Sequence, residues 1–455
     1  MEFGELINRQ RAYYASGATR TYEARRHALD ELHRGLRLFE DRLYEALKED
    51  LNKTEYESYL MEMSIVYGEL RYFKKHLRRW MKDRRVKPNV GFLPNKSYMN
   101  PEPFGVALII APWNYPVNLS LMPLIGAVAA GNCAVVKGSA KAPRTNAVLA
   151  ELFASIWPDE YVTMVNVPRA ECADLLRQKW DYIFFTGSQS GGREVMLAAA
   201  ENLIPVTLEL GGKNPIIVDP TVDIKMAAKR IAWGKVINAG QTCVAPDYLL
   251  IHESVRDQFV EEYGNALRKF FKNDDMSDMV TIVSRERFDR LTELMEGQTA
   301  AIGGGTEPER LFIEPTVLVD VDPEAPIMQE EIFGPILPII TWTDLNWCVD
   351  YIHTHEKPLA LYVFSEDRAV ISRIFNDCSF GGGCVNDVIL HLSATELSFG
   401  GVGASGIGQY HGKKSFETFT HYRAICERKK ANDQSMRMFP FRRLKLLLLR
   451  LTLGR

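Results

Sequence analysis

Apolar residues recur at three- and four-residue steps through the first eighty positions. Leu29, Leu32, Leu36, Phe39, Leu43 and Leu47 form one stripe, and Met63, Val66, Leu70, Phe73 and Leu77 form a second. Each spacing predicts an amphipathic helix with one buried face. Residues 87–103 break the rhythm with prolines at 88, 94, 101 and 103, and predict an extended excursion. From residue 106 onward, short continuous apolar runs alternate with helical stretches. Strands are expected at 106–110, 133–136, 162–165, 182–185 and 206–210, and helices at 119–130, 145–156 and 191–200. The alternation resumes with a strand at 216–218, a helix at 224–236 and a strand at 248–251. Strands that are apolar throughout and separated by helices predict a parallel sheet covered on both faces. The fold class is therefore α/β, with a second α/β unit after residue 210 and no internal repeat or low-complexity linker.

The tail departs from this pattern. Arg437, Arg442, Arg443, Lys445, Arg450 and Arg455 are mixed with Phe439, Phe441, Leu444, Leu446 to Leu449, Leu451 and Leu453. The apolar run is shorter than the ~20 residues that span a bilayer. Two readings stand: peripheral contact of residues 436–455 with an anionic membrane surface, or a helix packed on a dimer or over a substrate mouth.

Composition narrows the function classes. The chain has 455 residues, room for two or three domains with a large core. A net charge of -3 gives no global reason to expect nucleic acid. No basic stretch followed by an apolar run opens the chain, so a cytoplasmic location is expected. The seven cysteines are scattered, with no CxxC pair and no compact Cys/His cluster. That argues against a disulfide framework and against a metal site, and makes most of them small core residues.

Three polar residues stand in places where chemistry is possible. Cys243 follows a run of small and polar residues and precedes a strand-like segment, a loop setting in which a thiol faces a cleft; the alternative is an inert core cysteine. Glu209 lies inside a β-type run just before two glycines, where burial is costly. It is either a general base with a raised pKa or one half of an ion pair with Lys213 or another lysine. Asn114 directly follows a strand, at the edge where open parallel sheets bind ligands, and its amide suits a developing oxyanion; the alternative is a turn asparagine. Residues 186–192 (TGSQSGG) follow a strand and open a helix, a placement that suits a phosphate, but they lack the GxGxxG spacing. The glycines at 381–383 and 400–406 read as loops.

Taken together, these segments resemble the aldehyde dehydrogenase superfamily, and within it the short class that includes the class 3 and fatty aldehyde dehydrogenases. The resemblance runs from the first helix to about Arg423. It rests on motifs in the family's order: 103–116 (PFGVALIIAPWNYP), 185–188 (FTGS), 208–213 (LELGGK), 238–248 (NAGQTCVAPDY), 330–335 (EEIFGP) and 399–406 (FGGVGASG). It implies a Rossmann-type cofactor domain, a second α/β catalytic domain and a small bridging β element. The corresponding boundaries are 1–83 with 103–209, then 210–408, then 84–102 with 409–430, leaving 431–455 as the tail.

The same resemblance implies the roles. Cys243 would attack an aldehyde, Asn114 and the Cys243 backbone N–H would hold the oxyanion, and Glu209 would activate water against the thioester. Lys137, Gly187, Ser188, Glu331, Phe333 and Trp113 would contact NAD or NADP, and Tyr115 and Trp233 would line an aromatic substrate funnel. The substrate would be a medium- or long-chain aliphatic or an aromatic aldehyde, and the assembly a homodimer. One departure matters. The family usually reads Lys-Pro-Ser-Glu where this chain has Lys137-Gly138-Ser139-Ala140. With no carboxylate at 140 to repel a 2′-phosphate, acceptance of NADP is expected; the alternative is that Lys137 alone suffices and NAD dominates. Two other functions compete: a coenzyme-A-acylating dehydrogenase, disfavoured by Glu209 in its LELGGK setting, and a non-catalytic scaffold, disfavoured because Cys243, Glu209 and Asn114 are all present.

Overall fold

Two parallel-sheet units and a small antiparallel sheet make up the fold. The computed structural model describes residues 3–87, 95–168, 171–428 and 438–453. Residues 88–94 of the expected excursion, 429–437 and 454–455 lie outside the described residues. The α/β class read from the apolar runs is the one observed.

The first sheet has six strands in the order Gly406–Ile407, Val206–Glu209, Tyr182–Thr186, Val106–Ile110, Cys133–Lys137 and Val162–Val165. Only Gly406–Ile407 runs antiparallel to its neighbour. The chain lays down Val106–Ile110, steps outward twice to one side, and then returns to the other side of its first strand. That reversal opens a crevice at the carboxyl ends of Val106–Ile110 and Tyr182–Thr186, where ligands bind in open α/β sheets. The edge strand Gly406–Ile407 belongs by pairing to this sheet, with Gly406 opposite Glu209, although the sequence grouping places it in the second unit.

The second sheet has seven strands in the order Thr299–Ile302, Thr316–Val319, Ile336–Trp342, Tyr248–His252, Pro215–Val218, Ala360–Phe364 and Gly382–Val385. Its central strands are parallel and largely apolar; Ile216, Leu249, Leu250 and Leu361 have no exposed surface. Burying each such side chain contributes about 1.5–3 kcal/mol. A three-stranded antiparallel sheet joins Arg84–Val86, Lys96–Pro103 and Thr420–Glu427.

The helical start is more broken than the two apolar stripes imply. Helices Phe3–Ala15 and Glu55–Ser58 flank the long helix Tyr22–Leu51, and a π turn, Tyr59–Met63, precedes Ser64–Trp80. Within that turn Met61, Glu62 and Met63 are buried in succession, which no 3.6-residue stripe allows. The extra residue per turn brings a carboxylate inward, and such π turns are frequent at functional sites.

Candidate active site

Cys243 sits between two cavities. A cleft of about 650 Å³ at the carboxyl edge of the first sheet is lined by Trp113, Asn114, Thr186, Gly187, Ser188, Glu209, Cys243, Arg287, Glu331 and Phe333, among others. On the other side of the thiol, a cavity of about 470 Å³ is lined by Met61, Ile65, Tyr115, Asn118, Thr242, Leu392 and His411. The two share Leu119, Cys243, Phe399 and Tyr410. An outer vestibule of about 1060 Å³ shares Met61, Ile65, Leu392 and His411 with the second cavity, and Trp233 stands on its wall. Eight of the residues singled out in the sequence, Trp113, Asn114, Gly187, Ser188, Glu209, Cys243, Glu331 and Phe333, thus meet in one cleft. Tyr115 and Trp233 lie on the opposite side, one deep and one at the vestibule. Lys137 is apart from the cleft wall, at the end of the neighbouring strand, opposite Ile110.

The nucleophile loop is held in an uncommon backbone shape. Asn238, Ala239 and Gly240 all have positive φ, at 51°, 51° and 69°. A left-handed residue other than glycine costs about 1–3 kcal/mol. At Gly240 a Cβ would stand 2.3 Å from the Gly334 carbonyl oxygen, so only glycine fits. Side chains pin the loop on both flanks. Asn214 Nδ2 donates to the carbonyls of Cys243 (2.8 Å) and Ala245 (3.1 Å). Gln241 Nε2 donates to Thr281 O at 3.0 Å, and its Oε1 accepts from Val283 N at 3.1 Å. The Asn114 amide is buried and donates to Gln241 O at 3.0 Å, so it is tied to this loop rather than serving an isolated turn. Tyr115 Oη and Thr242 Oγ1 share a 2.6 Å hydrogen bond.

The charges resolve an alternative left open by the sequence. Lys213 Nζ bonds Asp247 Oδ2 at 2.6 Å and the carbonyls of Ile327 and Glu330. Glu209 is therefore not its partner, and neither carboxyl oxygen of Glu209 has a hydrogen bond. Burial without a partner pushes the Glu209 pKa well up. Glu331 accepts from Gly212 N at 3.2 Å, and burial, with Asp247 nearby, lifts it to about 8. Burial first, then the facing Glu331 and Glu209, push the Cys243 thiol up to about 12. In this state the site holds a neutral thiol beside two carboxyl groups that resist ionisation.

The cleft fits a dinucleotide. Thr186 Oγ1 and both Glu209 oxygens are buried, unpartnered and on the cleft wall. At Gly187 a Cβ would lie 2.6 Å from the Phe185 ring, so the backbone there stays bare. Ser188 caps the helix Gln189–Glu201 by accepting from Gly191 N, and the start of such a helix favours a phosphate. Trp113 and Phe333 meet edge to face at 5.6 Å, with Phe333 at φ 53°.

Sequence reasoning missed Arg287 and Tyr410 as cleft residues, gave Thr186 and Phe399 no role of their own within their motifs, and missed the buried Lys53–Glu62 pair with the half-buried Glu57. Phe399 opens the FGGVGASG motif, whose glycines read as a loop. A lone arginine or lysine carries no local signal. All seven cysteines are free, and the described residues contain no group of His, Cys, Asp and Glu placed to hold a metal.

Residues 3–425 match the aldehyde dehydrogenase family. Aldehyde dehydrogenase family 3 member B1 of Homo sapiens is 43% identical over 451 residues, covering 98% of this chain and 96% of the relative. The dimeric NADP-preferring aldehyde dehydrogenase of Canis lupus familiaris is 42% identical over 438 residues, covering 96% and 97%. The solved structure of Staphylococcus aureus AldH in its substrate-bound state superposes with a TM-score of 0.97 at 40% identity, covering 99% of each chain. The chain belongs to the aldehyde dehydrogenase family, and its relatives include class 3 members. It is an oxidoreductase that oxidises aldehydes with NAD or NADP.

Proposed function

We propose that this enzyme converts medium- or long-chain aliphatic or aromatic aldehydes to carboxylates through a covalent thioester on Cys243. The observation that carries the reading is that Cys243 is the one thiol on the wall shared by the cleft holding Asn114 and Glu209 and the apolar cavity that leads to the vestibule. Cys243 Sγ, its proton released to solvent water through the cleft, attacks the carbonyl carbon. The Asn114 amide and the Cys243 backbone N–H hold the oxyanion, a contribution of about 3–4 kcal/mol per donor. When bound, the nicotinamide supplies the acceptor for the hydride. Glu209, free of other bonds, then takes a proton from water as it adds to the thioester and passes it to the departing sulfur, so the thiol is restored as the carboxylate product leaves. Water as the acyl acceptor sets this reading apart from a coenzyme-A-acylating enzyme. Thr186, Gly187, Ser188, Glu331 and Phe333 hold the dinucleotide, with Trp113 beside Phe333 and Lys137 toward the adenosine ribose. Tyr115 and Trp233 line the aldehyde's path. In this division the six-stranded unit is the cofactor domain, the seven-stranded unit the catalytic domain, and the small antiparallel sheet the bridge. The assay is NAD(P)H formation at 340 nm across an aldehyde chain-length series; a protein silent until coenzyme A is added would favour the acylating alternative.

Ala140 supports acceptance of NADP. It is exposed, just beyond the strand that ends in Lys137, and offers no negative charge to a 2′-phosphate. Ala140→Glu is expected to shift the kcat/KM ratio toward NAD by about tenfold, the value of ~1.4 kcal/mol of repulsion. A wild type that already strongly prefers NAD contradicts this reading.

The tail supports a surface role. Arg443–Leu453 is an eleven-residue helix on which Leu444, Leu446, Leu447, Leu448 and Leu451 are all exposed. No helix among the described residues is long and apolar enough to cross a membrane. Deleting residues 436–455 is expected to abolish co-sedimentation with anionic vesicles and weaken the preference for long chains. Unchanged binding and an unchanged chain-length profile remove the tail from the account. We also propose a homodimer, supported by the exposed three-stranded sheet and by the exposed Met196, Leu197 and Leu203. Light scattering should give twice the 51.7 kDa chain mass; a monomer or tetramer contradicts it.

A further inference from the structure

We propose that the buried Lys53–Glu62 ion pair is the positioning device of the Asn114 amide. This rests on the reading of Asn114 as the oxyanion donor. Neither side chain has exposed surface, and Lys53 Nζ lies 2.6 Å from Glu62 Oε1. Each partner spends its remaining hydrogen bonds on one short segment. Lys53 Nζ donates to the Asn114 carbonyl at 2.7 Å and stands 4.2 Å over the Tyr115 ring. Glu62 Oε2 accepts from Val117 N at 2.8 Å and Asn118 N at 3.1 Å, at the start of the helix Asn118–Ala130. One pair thus fixes the backbone from the Asn114 carbonyl to Asn118.

That segment is locked in turn to the nucleophile loop. Asn238 Nδ2 donates both to the Asn114 carbonyl (3.1 Å) and to the Gln241 carbonyl (2.9 Å), and the latter also accepts the Asn114 amide. The ring closes on the residues leading to Cys243. Glu57 joins from the same helical layer, accepting from Asn238 N at 2.7 Å. A fully buried ion pair is seldom the most stable filling for a core, since apolar residues of similar volume often do as well or better. Its value here is geometric: it sets the distance between the amide and the thiol that must share one oxyanion.

Lys53 and Glu62 touch neither substrate nor cofactor on this reading, so they are positioning residues, and the test must separate positioning from mere folding. The Lys53→Met/Glu62→Leu enzyme removes both charges together and avoids stranding one. Lys53→Met and Lys53→Arg are read beside it, each also in an Asn114→Ala background, with thermal unfolding and NAD(P) binding measured for every protein. The expected result is a double variant that binds cofactor as wild type does while kcat falls 30-fold or more. In the Asn114→Ala background the same change is expected to cost less than threefold, and Lys53→Arg to recover part of the loss. Equal losses in both backgrounds, or a folded double variant with wild-type kcat, overturn the proposal. If the double variant does not fold, the decision passes to Lys53→Arg, whose loss of kcat must likewise vanish in the Asn114→Ala background. A loss that persists there, or an arginine enzyme with wild-type kcat, counts against positioning. An Asn114→Ala enzyme with undiminished kcat instead overturns the oxyanion reading itself.

Discussion

Cys243→Ala is expected to reduce NAD(P)H formation to background with every aldehyde and either cofactor, a loss of at least about 10⁴-fold in kcat. Effects of this size follow when the member of a catalytic unit that forms the covalent bond is removed. The fold should be unaffected, because alanine fills a partly buried loop position whose backbone is held by Asn214 and Gln241 rather than by the sulfur. Substituting the other six cysteines should leave the rate nearly intact. Cys133 and Cys348, for example, are buried among apolar side chains on neither cavity wall, and burial raises their thiols far above neutrality. The assay at 340 nm distinguishes these cases directly. Substantial turnover by the alanine enzyme would require another nucleophile.

Glu209→Gln is expected to separate the two halves of the reaction. Glutamine keeps the shape but has no basic oxygen, so acylation proceeds once and thioester hydrolysis stalls. Steady-state turnover should fall by about 10²–10⁴-fold, the usual contribution of a positioned general base, while a stoichiometric burst of NAD(P)H persists. The pH dependence has a definite sign. Burial raises the Glu209 pKa well above its ordinary value, so its basic form grows as pH rises. Wild-type turnover should climb with pH on that account, and the glutamine enzyme should lose the climb. A variant that loses burst and steady state together would place Glu209 in the first half of the reaction instead.

The difference between what the chain spells out and what only the fold reveals has a physical basis. Strands buried on both faces are continuous apolar runs, so 106–110 and 162–165 carry the boundaries observed, as does the helix 224–236 between two such runs. Glu209 and Asn114 are legible because they end or follow such a strand, Cys243 because it precedes one, and all three because their neighbours resemble family motifs. The functional reading of Glu209 needed the fold, since the sequence offered Lys213 four residues away as a partner. Only the three-dimensional arrangement shows that Lys213 is taken by Asp247. The Lys53–Glu62 pair was illegible for a different reason. A lysine after a long helix reads as a solvated end, and the π turn that carries Glu62 inward hides it from any helical periodicity. Long-range polar contacts of this kind, 61 residues apart for Lys53 and Asn114, leave no spacing to detect.

The central claim is that acyl transfer runs through Cys243 and ends on water. It is tested most directly by mixing Glu209→Gln enzyme with a long-chain aldehyde and NAD(P), quenching in acid after the burst, and mapping the peptides by mass. The account predicts one acyl group per chain, on the peptide holding Cys243, which wild type releases as the carboxylate with one oxygen from labelled water. An unmodified Cys243, an acyl group on another residue, or release that requires coenzyme A would contradict it.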